Sequence, residues 1–201
     1  MKLFYSSTSP FVRKVNIFAM ECGLADNIEW VKTNPWQAEE SLTTENPLSK
    51  IPTLVTDDNV VIYDSAVICE YLDTLHNGRK LIPKLSDARW SVLRLQALAD
   101  GLLDAGILRF MEGKRVQAQQ SADWDAMQKN SIERGLDELE RNMTDWSQVP
   151  INLGIISVGC LLGWLDFRLS SEDWRVTRPG LAQWFEVYSK RYSMQQTIPS
   201  E

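Results

Sequence analysis

The sequence predicts a small α/β domain followed by an all-helical domain, and three observations support this division. A length of 201 residues allows one large domain or two small ones. Strand and helix patterns alternate over residues 1–78, whereas only helical periodicity follows Asp87. We therefore predict domains at residues 1–78 and 87–201, joined by a linker at residues 79–86.

The elements of the first domain are predicted in the order β-α-β-α-β-β-α. Short apolar runs bounded by turn residues predict strands, and cap-like pairs before apolar periodic runs predict helix starts. The strands are expected at residues 2–5, 28–31, 53–55 and 60–63, and the helices from Ser9-Pro10 onward, at 35–44 and from 65 to about 76. This order predicts a small mixed sheet with helices on both faces.

The second domain is predicted from helical spacing. Apolar residues step by 4-3-4-3 from Ile132 to Trp146, which indicates one bundle helix because two heptads are too few for a coiled coil. Residues 146–165 carry no charge and have the length of a membrane span. Pro150 and three glycines interrupt this stretch, so we predict a loop followed by a buried core helix.

Charge and cysteine content exclude several classes of protein. The 21 basic and 27 acidic residues give a net charge of −6, which argues against a broad nucleic-acid surface. Cys22, Cys69 and Cys160 are too widely spaced for a disulfide framework or a zinc knuckle. Residues 1–11 lack the apolar core of a signal peptide. We therefore expect a cytoplasmic protein without a metal ion and without nucleic-acid or membrane partners, in which Cys69 and Cys160 are inert packing residues.

The pair Ser9-Pro10 is the first candidate functional feature. Serine is favoured as an N-cap and proline at the first helical position, so Ser9 is in the simplest interpretation a helix cap. A capping hydroxyl accepts a backbone N–H bond and keeps its own proton. That proton, beside a helix N-terminus, suits an anion such as a thiolate.

Two further segments carry polar groups next to predicted element ends. Ile51-Pro52 precedes a strand, and a cis bond there would present the Ile51 backbone to an extended peptide, although a trans bond is the commoner state. Asp64-Ser65 opens the third helix, where free N–H groups and the Ser65 hydroxyl suit a carboxylate and Asp64 suits an ammonium. Asp64 is equally well explained as a helix cap.

Together and in this order, the segments resemble the cytosolic glutathione S-transferase family, and in particular bacterial members with a serine-type active site of the tau, zeta or theta kind. The resemblance covers essentially the whole chain. It rests on Ser9-Pro10-Phe11-Val12-Arg13-Lys14-Val15, on residues 46–54, on Asp64-Ser65 and on the segment from Gly159 to Arg168. It implies a thioredoxin-like N-terminal domain that binds glutathione and a helical C-terminal domain that lines the electrophile pocket.

The resemblance also implies roles for individual residues. Ser9 would donate to the glutathione sulfur, with Ser7 or Thr8 as substitutes if the loop is shifted. The Ile51 backbone would pair with the cysteinyl part, and Asp64 and Ser65 would hold the γ-glutamyl group. Lys50 either approaches the glycyl carboxylate or is an exposed structural lysine. An electrophile pocket is expected between the domains, lined by Ile107, Phe110 and Met111. Arg109 or Arg115 is expected at the edge of this pocket.

The activity implied by the resemblance is glutathione transfer. A homodimeric cytoplasmic enzyme would stabilise the glutathione thiolate for attack on a small hydrophobic electrophile in detoxification, with glutathione as co-substrate and neither metal nor nucleotide. Two alternatives stay open: a glutathione-dependent peroxide or disulfide reductase, and a non-catalytic transferase-fold protein that binds ligands or partners. Because a serine and not a cysteine precedes Pro10, a mixed disulfide with the enzyme at that position is excluded.

The chain departs from the family pattern at two places. The core helix of family members usually begins with a capping box, but here Asn152 is followed three residues later by Ile155, which has no carboxylate. We expect a loss of about 1 kcal/mol unless other groups compensate. Tyr192 follows Arg191 where bacterial members often have proline.

Overall fold

The computed structural model describes residues 1–37, 39–85 and 87–201, and these divide into two compact units. The first unit contains Met1–Lys84 and Tyr192–Glu201, and the second contains Leu85–Arg191. The C-terminal residues therefore group with the first unit and not, as the sequence division supposed, with the preceding helices. Ala38 in the predicted second helix and Ser86 in the predicted linker lie outside the described residues.

The first unit has the predicted order β-α-β-α-β-β-α, which confirms its α/β class. Its strands are β1 (Lys2–Tyr5), β2 (Glu29–Lys32), β3 (Thr53–Val55) and β4 (Val61–Ile62), and its helices are α1 (Pro10–Glu21), α2 (Glu40–Glu45) and α3 (Ser65–Thr74). The predicted irregular helix at 35–44 is a 3₁₀ turn at Pro35–Gln37 followed by α2. Pro35 opens that turn because its fixed φ favours a helical first position.

The sheet of the first unit has the strand order β2-β1-β3-β4. β1 pairs parallel with β2 and antiparallel with β3, and β3 pairs antiparallel with β4. Neighbouring residues of a strand point to opposite faces, and Leu3 and Phe4 are both buried, so both faces of the sheet are covered. The register Phe4–Thr53 and Leu54–Ile62 brings the ends of β1, β2 and β4 and the start of β3 to one edge of the sheet.

The C-terminal residues belong to the first unit because they bond to α1. The helix α9 (Tyr192–Gln195) packs against α1. Buried Arg13 donates to the Met194 carbonyl at 3.0 Å and to the Thr197 hydroxyl at 3.3 Å, and the Ser193 hydroxyl donates to a Glu21 carboxylate oxygen at 2.6 Å. Such long-range polar contacts have no local sequence signal.

The described part of the second unit is helical, as predicted. It contains α4 (Asp87–Lys114), α5 (Ala122–Arg141), α6 (Met143–Trp146), α7 (Leu153–Arg168) and α8 (Pro179–Tyr188). α4 packs against α5 and α7, and α8 packs against the same two helices. Gly106 allows the close approach of α4 and α7, since a Cβ there would lie 2.7 Å from the Trp164 ring.

Two details of the second unit refine the sequence analysis. The predicted continuous helix from Ile132 to Trp146 is split at Asn142, whose side chain donates to the Glu138 carbonyl and ends α5. The predicted core helix is confirmed as α7, which the Asn152 side chain caps, with Oδ1 accepting from the Ile155 N–H at 3.1 Å. Ile155 is only 3% exposed, so its apolar burial offsets the missing capping carboxylate. None of the described helices combines the length and the apolar character that crossing a membrane requires.

Candidate functional site

The loop between β1 and α1 holds three of the candidate hydroxyls. Ser9 has extended backbone angles and caps α1, with its Oγ accepting from the Val12 N–H at 3.3 Å. The Ser7 hydroxyl donates to the Ser200 carbonyl at 2.8 Å, and Thr8 shares a hydrogen bond of 3.1 Å with Ser6. Over the described ranges, the Ser9 proton has no acceptor. Ser9 therefore has a donor available to a ligand directly at the start of α1, and the Ser6–Thr8 pair uses only one of its two hydroxyl protons.

The segment before β3 is held by Asn46, which is 1% exposed. Its amide nitrogen donates to the Lys50 carbonyl at 3.1 Å and to the Thr53 hydroxyl at 2.9 Å, and its amide oxygen accepts from the Leu48 N–H at 2.9 Å. The Thr53 hydroxyl also donates to the Lys50 carbonyl at 2.8 Å. Asn46 thus fixes the course of the chain up to Pro52.

The Ile51–Pro52 bond is cis. A cis bond is the state that, in the sequence analysis, presents the Ile51 backbone to an extended peptide. Ile51 lies just before the β3 ladder, and its N–H and C=O bond to none of the described residues. The Lys50 side chain is exposed, whereas its carbonyl is used by Asn46 and Thr53. This segment therefore offers the free N–H and the free C=O of Ile51 at the edge of the sheet.

Asp64 and Ser65 open α3 as the sequence predicts. The exposed Asp64 caps the helix, with Oδ1 accepting from the Ala66 N–H at 3.0 Å, and its own peptide bond with Tyr63 is cis. Ser65 is 3% exposed, and its hydroxyl bonds to none of the described residues. Asp64 uses only one carboxylate oxygen for the cap, so the other can accept from an ammonium, while the positive end of the helix suits a carboxylate.

The strand register brings these three segments together. Ser9 follows the end of β1, Ile51 precedes the start of β3 and Asp64 follows the end of β4, and all of these strand ends share one edge. The edge combines two helix N-termini with a free backbone peptide group. Such an arrangement can hold an extended peptide that carries a carboxylate and an ammonium at one end.

Sequence reasoning missed two residues at this edge. Asn46 belongs to the segment 46–54 that carries the family resemblance, but no role was predicted for its side chain, because the sequence does not show its hydrogen-bond partners. Trp36 follows the end of β2 at the same edge and is 71% exposed, and its backbone N–H donates to Asn34 Oδ1 at 3.0 Å. An apolar side chain of that size in a turn directly after a strand was the signal that could have identified it.

The predicted electrophile residues lie in the second unit. Ile107, Phe110 and Met111 are half-buried on α4. The Phe110 ring packs edge-on against Trp164, and its centroid lies 5.0 Å from the Lys114 ammonium and 4.7 Å from the Arg168 guanidinium carbon. Positive charge therefore surrounds this ring.

Arg109 does not stand at a pocket edge, which corrects one expectation. Its side chain is 8% exposed and bonds to both carboxylate oxygens of Asp125, at 3.0 and 3.1 Å, and of Glu172, at 2.8 Å each. The bond to Glu172 is the main reason that the pKa of Arg109 is raised, and the same contact lowers the pKa of Glu172. Arg115 is exposed and pairs with Glu112 at 3.6 Å.

Comparison with known proteins supports one family. Residues 8–75 match the family model for the glutathione S-transferase N-terminal domain. The chain is 36% identical to the uncharacterized GST-like protein YibF of Escherichia coli strain K12 over 201 residues, covering 99% of this chain and 98% of that protein.

Solved structures agree with the sequence comparison. A glutathione transferase family member from Pseudomonas fluorescens Pf-5, solved with bound glutathione, is 38% identical, with a TM-score of 0.96 over 100% of this chain and 99% of that one. A second structure of a glutathione transferase family member from Pseudomonas fluorescens Pf-5 was solved with bound S-(propanoic acid)-glutathione. It is 38% identical to this chain, with a TM-score of 0.92 over 100% of both chains. The first unit is thus thioredoxin-like, and the chain belongs to the glutathione S-transferase family.

Proposed function

We propose that the chain binds glutathione at the edge of the sheet and uses Ser9 to hold its thiol as a thiolate. The observation that carries this proposal is the Ser9 proton, which lies at the N-terminus of α1 without an acceptor among the described residues. A hydrogen bond to a charged group contributes about 1.5–3 kcal/mol. At about 1.4 kcal/mol per pKa unit, this lowers the pKa of a bound thiol by roughly one to two units from about 8.5.

The rest of glutathione is assigned to the other two segments. The free Ile51 N–H and C=O pair with the cysteinyl peptide, as in the addition of a strand to a sheet. Asp64 accepts from the γ-glutamyl ammonium, and the start of α3 with the Ser65 hydroxyl binds the adjacent carboxylate. The exposed Lys50 ammonium is the charge that the glycyl carboxylate meets.

The reaction that we propose is addition of the thiolate to a small electrophile, with Ile107, Phe110 and Met111 as its contacts. Holding the thiolate and the electrophile in reacting geometry lowers the entropic cost of the attack. Because Lys114 and Arg168 lie near the Phe110 ring, we extend the proposal to electrophiles that join an apolar body to an acidic group. The relative solved with S-(propanoic acid)-glutathione supports this choice, since the substituent on its sulfur is an acid.

Two alternatives use the same fold. Reduction of peroxides or disulfides by glutathione would use the same Ser9 site with a different second substrate. A non-catalytic ligand-binding or partner-binding role is less well supported, because such a role does not require an open hydroxyl donor at Ser9.

By resemblance to the family we further propose a cytoplasmic homodimer that acts in detoxification. Light scattering on the purified chain measures whether it is a dimer.

One experiment tests the Ser9 mechanism. Wild type, Ser9→Ala and the matched control Ser7→Ala are retained on immobilised glutathione, and the bound thiol is then titrated by its ultraviolet absorbance. We expect the pKa of the bound thiol to rise by one to two units in Ser9→Ala and to stay unchanged in Ser7→Ala, because the Ser7 proton already bonds to Ser200.

The other outcomes separate the alternatives. If the thiol bound to Ser9→Ala has the same pKa as the thiol bound to wild type, another residue is the donor and the Ser9 mechanism is refuted. If wild type is not retained, the non-catalytic role is favoured. Rates with matched acidic and neutral electrophiles, peroxides and mixed disulfides then distinguish a transferase from a reductase.

A further inference from the structure

Three metal-ligating side chains meet at the end of α3, away from the residues assigned to glutathione. Cys22 is the C-cap of α1, Asp73 lies in the last turn of α3, and His76 follows that helix by two residues. The thiol sulfur, a carboxylate oxygen and a ring nitrogen all lie within 4.8 Å of one another. We propose that Cys22, Asp73 and His76 bind one zinc-like divalent metal ion.

The ligand types and their spacing suit such an ion. Zinc binds thiolate sulfur at about 2.3 Å and imidazole or carboxylate atoms at about 2.0–2.2 Å, so neighbouring ligand atoms of a tetrahedral site lie roughly 3.3–3.8 Å apart. The His76 Nε2 to Asp73 Oδ1 distance is 3.2 Å, close to that spacing. The Cys22 sulfur lies within 4.8 Å of a carboxylate oxygen of Asp73 and a ring nitrogen of His76, so a movement of about 1 Å brings it to the tetrahedral spacing. Three protein ligands leave the fourth position to water.

Backbone groups already orient the carboxylate. The Leu81 N–H donates to Asp73 Oδ1 at 2.9 Å and the Ile82 N–H donates to Oδ2 at 3.2 Å. Oδ1 also shares the 3.2 Å hydrogen bond with His76 Nε2, which a metal bound at Nε2 replaces, whereas Oδ2 accepts only from Ile82 among the described residues and keeps a lone pair for a metal. Outer contacts of this kind are what hold metal ligands in place in known sites.

The surrounding charges favour a divalent cation. Asp73 and Glu21 are the acids near the thiol, and the Lys80 ammonium is the nearby base, donating to the Asp73 and His76 carbonyls. A Cys22 thiolate beside the Asp73 carboxylate places two negative charges among the three ligands, and one divalent ion balances them. Binding therefore breaks the S–H bond, forms an S–metal bond and releases the proton to solvent, with no change of oxidation state.

The cluster escaped the sequence analysis because its members are distant along the chain. No metal was expected from the wide spacing of the cysteines, and the single histidine carries no local ligand motif. The fold pairs α1 with α3, and this packing brings Cys22 to the other two ligands.

The test is cobalt binding to the metal-free full chain in the absence of glutathione, whose own thiol binds metals. We expect one equivalent of Co²⁺ with a thiolate-to-cobalt charge-transfer band. Cys22→Ser removes the band, and His76→Gln weakens the apparent affinity at least tenfold. The control Glu21→Gln changes a neighbouring charge but no ligand, and it keeps the band.

Circular dichroism of the metal-free variants shows that each one is folded. Added Zn²⁺ should displace the cobalt and bleach the band. A wild-type spectrum without the band, or one identical to that of folded Cys22→Ser, overturns the proposal and leaves the cluster as an anchor for residues 77–82. Retention on immobilised glutathione is measured separately, so a failure here leaves the glutathione proposal unaffected.

Discussion

Arg109 in the helical unit and Ser9 at the edge of the sheet are both polar side chains on or beside long helices, yet the fold uses their donors differently. Four hydrogen bonds join the Arg109 guanidinium to Asp125 and Glu172. Ser9 accepts one bond and its proton is given to none of the described residues. Arg109 thus supports the architecture of the helical unit, whereas the Ser9 donor at the sheet edge is available to a ligand.

The most severe test of this contrast is Arg109→Ala. The substitution leaves Asp125 and Glu172 close together without their shared cation, and we expect the free energy of unfolding to fall by about 2–4 kcal/mol. Chemical denaturation measures the loss. Arg141→Ala is the matched control, because its pair with Glu138 is exposed and contributes about 0.5 kcal/mol or less. Equal effects of the two substitutions would refute the architectural role of Arg109.

A matched pair of asparagines sharpens the contrast. Asn46 and Asn152 are both buried and both hold a backbone segment, one in each unit. We expect Asn46→Ala to cost about 1–3 kcal/mol and to abolish retention on immobilised glutathione, because the course of the chain to Ile51 is lost. Asn152→Ala should cost about 1 kcal/mol and leave retention intact. If folded Asn46→Ala is still retained on immobilised glutathione, the site does not depend on Asn46 and the prediction is wrong.

The smallest expected effect is a pH dependence in the helical unit. The bond from Arg109 lowers the pKa of Glu172 below its ordinary value. The resulting stability is present above the unfolded pKa of about 4.3 and is lost as the pH falls through the folded pKa. Glu172 is one third exposed, so we expect a contribution below about 1 kcal/mol. Denaturation curves of Glu172→Gln should show a flatter loss of stability below pH 4.3 than those of wild type.

Local signals account for what the sequence predicted well. Ser9-Pro10 and Asp64-Ser65 open α1 and α3 because a capping side chain acts within three residues, and the strands of the first unit follow short apolar runs. Order and pairing then follow from general rules of sheet topology. The candidate segments could therefore be located before their geometry was known.

Long-range partners account for what the sequence did not predict. Arg109 was expected at a pocket edge, but its partner Glu172 lies 63 residues away. The grouping of residues 192–201 with the first unit depends on Arg13, which is 181 residues from Met194. Choosing such partners requires the packed structure, because many charged residues of either sign are available along the chain.

The bond from Ser7 to the Ser200 carbonyl has a practical consequence for laboratory work. It ties the loop that carries Ser9 to a residue directly before Glu201. An affinity tag or surface linker attached beside Ser200 therefore lies next to the loop whose chemistry is to be measured. Attachment through a cysteine introduced at the exposed Asn130 of α5 keeps the tag on the other unit.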